Sequence, residues 1–129
     1  MTDITLVNAQ GLPPPAGHYS HAACLGELVF VSGLLPVTPS GQLLAGEPFE
    51  RQAKQVLENL RTVLESCGAS TDSLAQVRVY LSDIENWPEF NRIYADWIGP
   101  HRPARCVVPV QVLHYAAGLE IEAVAGRSD

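Results

Sequence analysis

HRPARCVVPVQV (residues 101–112), read together with GLEIEAVAG (residues 118–126), is the stretch around which the chain is organised. Arg105 stands in an apolar run beside Cys106, Val107 and Val108, and Glu120 and Glu122 are interleaved with Leu119, Ile121, Ala123 and Val124. The pattern predicts two strands, over residues 104–112 and 119–125. Pro109 has no N–H to give a ladder, so its strand is expected at a sheet edge or bulged there. Charge in strands this apolar lies either on a solvated sheet face or in a pocket. A guanidinium taken out of water needs a carboxylate, which it can grip with two parallel hydrogen bonds.

Upstream, the clearest element is a helix after Pro48. Phe49, Ala53, Val56, Leu57, Leu60, Val63 and Leu64 fall on one helical stripe, and Glu50, Arg51, Lys54, Glu58 and Arg61 take the other face. Pro48 suits a first turn, and Gly68 is placed to cap the end. Such a stripe predicts packing on a sheet. A second helix is predicted with Asn86 as N-cap and Glu89 at capping-box spacing. Its buried stripe is Phe90, Ile93, Tyr94, Trp97 and Ile98, and Gly99-Pro100 stops it. Between the helices, Val77, Val79 and Leu81 alternate with Gln76, Arg78 and Tyr80, the pattern of a half-buried strand.

Towards the N-terminus, residues 4–7 read as a short strand and GLPPPAG (residues 11–17) as a stiff extended breaker. Residues 19–25 and 28–33 read as a hairpin turning at Gly26-Glu27. The order β-ββ-α-β-α-ββ predicts a two-layer α+β sandwich, one domain over residues 1–129, with both helices on one face of a mixed sheet. The other face must then meet solvent or another subunit.

The bulk numbers exclude several classes. At 129 residues, 17% of them charged, the chain has room for one real core. A formal charge of −6, with Lys and Arg scattered, lacks the basic footprint that a nucleic-acid backbone needs. Cys24, Cys67 and Cys106 are odd in number with no CxxC spacing, against a disulfide framework or a zinc site. No apolar run approaches the roughly 20 residues of a membrane span. MTDITLVNAQ shows no signal-peptide pattern, so the cytoplasm is the expected setting.

The site residues carry plain readings beside functional ones. Arg105 is either an exposed charge on the outer sheet face or an anion-binding group in a pocket. Glu120 and Glu122 share a strand face: either both are solvated, paired with Arg105 or Arg78, or one is partly buried, its pKa raised, and handles a water. His18 and His21 point to opposite faces of an extended segment, and with no clear third ligand a metal site is not expected. His101 and His114 read as loop residues. Cys106, turned away from Arg105 by alternation, reads as a small core residue.

Taken together, AGHYSHA (residues 16–22), LVFVSGLLP (28–36), ESCGAS (65–70), VYLSDIENWPEFNRIY (79–94), RPAR (102–105) and LEIEAVA (119–125) resemble the Rid family. These are the YjgF-type reactive-intermediate deaminases, and the resemblance spans nearly the whole chain. It implies a chorismate-mutase-like fold and a homotrimer with a ligand cleft at each subunit boundary. The implied activity is hydrolysis of enamines and imines, 2-imino acids going to 2-keto acids and ammonia, with no metal or organic cofactor. Residue by residue, Arg105 matches the arginine that binds the substrate carboxylate, and Glu120 the glutamate that orients water. Tyr19, Ser32 and Asn91 match further site positions. Val107 falls where many members have a cysteine whose main-chain N–H helps hold the carboxylate.

The chain departs from the family pattern at His18 and His21, which the resemblance places near the cleft entrance. It departs also at Leu34, at Val107 and Pro109, and in LHYAAG (residues 113–118), and these changes suit a bulkier or more aromatic substrate. A noncatalytic protein that senses a keto acid or another small carboxylate is the alternative expectation. A ribonuclease or translation inhibitor is the least favoured, because the chain is acidic.

Overall fold

Alternation in the strands and the helical stripes fold as their patterns require, and the computed structural model describes residues 3–128. The elements are β1 (Ile4–Val7), β2 (Ala22–Leu25), β3 (Leu28–Leu34), α1 (Phe49–Ser66), β4 (Leu74–Leu81), α2 (Trp87–Ile98), β5 (Ala104–Pro109) and β6 (Leu119–Gly126). The strands make one mixed sheet in the order β1-β2-β3-β6-β4-β5. Among the described residues only β4 and β5 run parallel. A parallel pair cannot be joined by a tight hairpin, and α2 supplies the crossover.

Both helices cover one face. Val77, Val79 and Leu81 of β4 and Leu119 and Ile121 of β6 are buried beneath Val56, Leu57, Leu60, Val63 and Leu64 of α1 and Phe90 of α2. Each such side chain contributes roughly 1.5–3 kcal/mol by leaving water. Gly68 takes a φ of +76° just past the Cys67 cap of α1, a turn that suits a residue without Cβ. The other sheet face carries Gln76, Arg78, Tyr80, Glu120 and Glu122, in register across β4 and β6. Towards β1 it becomes apolar: Leu6 is 67% exposed and Phe30 42%. That uncovered face is the one the element order predicts.

Several boundaries differ from those the sequence predicts, four of them for a clear local reason. β5 stops at Pro109 rather than 112, because β5 is an edge strand and proline offers no N–H; Val110 makes one last bond to the Leu81 carbonyl at 2.9 Å. β2 begins at Ala22 rather than 19, since the Tyr19 N–H closes a tight turn onto the Gly17 carbonyl at 3.0 Å. The Asn86 side chain makes no cap bond. The chain instead enters α2 through a 3-10 turn, Ile84–Asn86, capped by Asp83, whose carboxylate accepts from the Glu85 N–H at 3.0 Å. Pro48 is the N-cap itself rather than a first-turn residue. Cys106 is exposed, not core, because its register with Arg78 puts it on the uncovered face. Among the described residues no helix is long and apolar enough to cross a membrane.

Candidate functional site

Glu120 stands on the uncovered face, directly across from Tyr80. The β3–β6 ladder is irregular between Val31 and Leu34, so Ser32 and Gly33 bulge beside it. Gly33 makes room for the carboxylate: a Cβ there would overlap Glu120 Oε2. Gly17, Tyr19, Ser32, Gly33, His114 and Glu120 contribute to a cavity of about 360 Å³. Ser32 holds its wall together, donating from Oγ to the Ser20 carbonyl at 2.6 Å and from its N–H to the His21 carbonyl at 3.0 Å.

Burial raises the Glu120 pKa above the usual carboxylate value; His114 opposes the shift and Glu122 adds to it. The two glutamates left open by the sequence are thereby told apart. Glu122 accepts a hydrogen bond from the Tyr80 hydroxyl at 2.5 Å and lies 3.8 Å from Arg78 Nη1. The bond holds the phenol neutral and pushes Tyr80 up to about 12. Among the described residues Glu120 has neither a hydrogen bond nor an ion pair, which leaves its oxygens free for a water.

Gly33→Ala is therefore expected to leave the fold intact, since only the end of a flexible side chain must move, while re-aiming Glu120. Misplacement on the order of 1 Å costs about 100-fold in rate. Unchanged turnover of any imine that the wild type hydrolyses would show that Glu120 does not depend on this close approach.

The segment 113–118 closes the same cavity. Tyr115 and Ala116 both adopt left-handed backbone, with φ of 60° and 57°. For non-glycine residues each costs about 1–3 kcal/mol, a kind of strain that clusters at functional sites. Bonds on either side over-determine it: Ala117 N–H donates to the His114 carbonyl at 3.1 Å, and Gly118 N–H to Gln52 Oε1 at 2.8 Å. The result holds His114 and Tyr115 against the Glu120 cavity.

Arg105 lies on the opposite, helix-covered face, in register with Val77. Its guanidinium sits 5.0 Å over the Tyr94 ring, a cation–π contact of about 0.5–2 kcal/mol. It lines a second cavity of about 530 Å³ with Asn91, Tyr94, His101 and Arg102. His101 Nε2 donates to the Leu74 carbonyl at 2.8 Å, which fixes the ring in the cavity wall. Arg105 forms no ion pair among the described residues, so the cavity presents positive charge that a small anion can meet.

The expected site residues thus fall into two groups. Tyr19, Ser32 and Glu120 share one cavity; Asn91 and Arg105 share the other. Val107 lines neither and packs partly buried against the core. Arg105 and Glu120 do not meet within one chain: β4 lies between their strands, and they face opposite ways. His21 lines a hollow beside the Glu120 cavity, but its ring is committed to main chain. It is 6% exposed, its Nδ1 accepts the Ala9 N–H at 2.9 Å, and its Nε2 donates to the Pro13 carbonyl at 3.1 Å, pinning the proline segment to β2. His18 is exposed. His101 is the loop residue its sequence suggests, and with Arg102 it lines the Arg105 cavity; their nearness to Arg105 along the chain is the one signal of that in the sequence.

Comparison with known proteins bears on the family and the fold. The family model described as Endoribonuclease L-PSP matches residues 10–126. Protein HMF1 of Saccharomyces cerevisiae is 38% identical over 129 residues, covering 100% of this chain and 99% of that protein. The chloroplastic Reactive Intermediate Deaminase A of Arabidopsis thaliana is 33% identical over 93% of this chain and 64% of that protein. The crystal structure of E. coli TdcF with bound serine superposes with a TM-score of 0.89 at 31% identity, covering 96% of this chain and 99% of that one. A match across nearly all of the sequence, on the same two-helix, six-strand scaffold, makes this chain a member of the Rid (YjgF) family.

Proposed function

We propose that the protein hydrolyses reactive enamines and imines, converting 2-imino acids to 2-keto acids and ammonia, at a site assembled between copies of the chain. Arg105 of one copy grips the substrate carboxylate through two hydrogen bonds. Glu120 of a neighbouring copy, ionised, accepts a proton as water adds to the C=N carbon. That proton passes to nitrogen, the proton of the new hydroxyl follows it by way of Glu120, the C–N bond breaks, ammonia departs, and the water oxygen remains as the keto oxygen. Tyr19 would orient the substrate, with Ser32, Asn91 and the Val107 main chain as further contacts. Much of the acceleration comes from placing the carbon and the water together.

The observation that carries this reading is an unpartnered Glu120 on one sheet face and an unpaired Arg105 on the other. Two different patches that must meet make a head-to-tail contact, which closes only as a ring. A homotrimer joined through the uncovered sheet face satisfies that condition. The Arabidopsis relative's name, a deaminase, agrees with catalysis. The serine bound to E. coli TdcF gives weight to a second reading, a carboxylate-binding sensor without turnover. A formal charge of −6 argues against RNA as substrate.

The test generates imines in place, with an amino-acid oxidase acting on a panel of amino acids in the presence of catalase, and follows imine loss with and without the protein. Accelerated loss is expected, together with a trimer mass by sedimentation. Saturable keto-acid binding with no acceleration for any imine would leave the sensor reading in its place.

A further inference from the structure

Beside the Glu120 cavity lies a second hollow of about 300 Å³, roofed by the proline segment and floored by Leu34, Leu35 and Asn59. Tyr19, Gly33, Leu35 and Tyr115 line both spaces, which therefore adjoin along one seam. The lining is mostly hydrocarbon: Leu12, Pro13, Pro14, Pro15, Leu34 and Leu43. Away from the seam, its polar side chains are already engaged. Asn59 Nδ2 donates to the Leu35 and Val37 carbonyls at 3.3 and 2.9 Å, and its Oδ1 accepts from Gln55 at 2.8 Å. Both ring nitrogens of His21 are bonded to main chain. Away from the two tyrosines at the seam, a hydroxyl, amide or charge entering this hollow would lose water and find no free side-chain partner, whereas hydrocarbon would lose nothing.

We infer that this hollow receives the side chain of the substrate, and that the preferred substrates are 2-imino acids bearing a large apolar side chain, branched or aromatic. The inference rests on the deaminase reading for the orientation of the substrate. With the carboxylate held by Arg105 and the imine carbon beside Glu120, the remaining substituent on that carbon must leave the Glu120 cavity along an open wall. Tyr115 stands at that opening, held there by left-handed backbone. A substituent as small as methyl leaves the hollow to water. An isobutyl or benzyl group replaces that water with contact against leucine and proline.

The product 2-keto acids carry the same carboxylate and side chain and are stable, so binding can be measured apart from turnover. Calorimetry on the intact protein would compare pyruvate, 4-methyl-2-oxopentanoate and phenylpyruvate, alongside kcat/KM for the corresponding imines. The expected result is binding of the two bulky acids at least about tenfold tighter than pyruvate, in line with the discrimination that a few methylenes give in an apolar pocket. Leu43→Asp, at a rim position already 47% exposed, should erase most of that ratio. Equal or weaker binding of the bulky acids by the wild type would overturn the inference, and that comparison stands without the variant. Bulky preference in binding with no turnover of any imine would keep the hollow's assignment and sink the deaminase reading. Failure of every keto acid to bind would sink both.

Discussion

Arg105→Ala is expected to lower kcat/KM for imine hydrolysis by at least about 100-fold, the effect of removing one partner of a desolvated charge pair. The fold should persist, because Arg105 lies on an edge strand and is only half buried, and what is lost locally is a cation–π contact with Tyr94. A keto acid should lose affinity in parallel, since the same carboxylate is held. Retained turnover in a folded variant would end the assignment of Arg105 as the carboxylate anchor. The shared site adds a sharper readout. Arg105→Ala and Glu120→Gln, each inactive alone, are unfolded together in equal amounts and refolded. In randomly mixed rings, about a quarter of the boundaries bring an intact Arg105 to an intact Glu120. Activity returning to about that fraction of wild type supports a site between protomers. No recovery, from mixtures shown by mass to be hybrid, would place both residues' work within one chain, where the sheet separates them.

Glu120→Gln should abolish hydrolysis while making the protein more stable at neutral pH. Gln keeps the size of the side chain and removes the base, so the loss in kcat is expected to reach about 100–10,000-fold. The stability effect follows from the direction of the pKa shift. Burial raises the folded-state pKa above the unfolded value, so the ionised form disfavours folding. That cost is absent below the unfolded pKa and grows as pH rises through the raised folded pKa. Wild type and variant should therefore melt together in acid and diverge towards neutrality, with the variant melting higher. The same shift places the acid limb of the wild-type kcat/KM profile above the ordinary carboxylate range. A limb at the ordinary value, or a variant whose advantage over wild type is no larger at neutral pH than in acid, would show that Glu120 is not the buried group assigned here.

The sequence was most legible where one residue's environment repeats. The stripe Ala53, Val56, Leu57, Leu60, Val63, Leu64 dictates α1 because a helix needs one dry face, and each of these residues is buried. Alternation in residues 76–81 and 119–125 dictates two half-covered strands, and Pro109 marks an edge because proline cannot join a ladder on both sides. It was least legible at caps, where Asp83 and Asn86 compete within one short segment and only the backbone path decides between them. His21 shows a related limit: a ring free to meet a ligand and a ring bonded to main chain at both nitrogens are the same letter.

What the sequence determined by itself is the order of elements, the single covered face, and the presence of arginine and glutamate in strands otherwise built of hydrocarbon. Periodicity is local, so it survives in one dimension. Tertiary structure alone decided that β4 lies between β5 and β6, which puts Arg105 and Glu120 back to back. It alone decided that Glu122 is committed to Tyr80 and Arg78 while Glu120 rests free over Gly33. Strand order and side-chain partnership join residues far apart in the chain, and alternation, which depends only on near neighbours, carries no information about either.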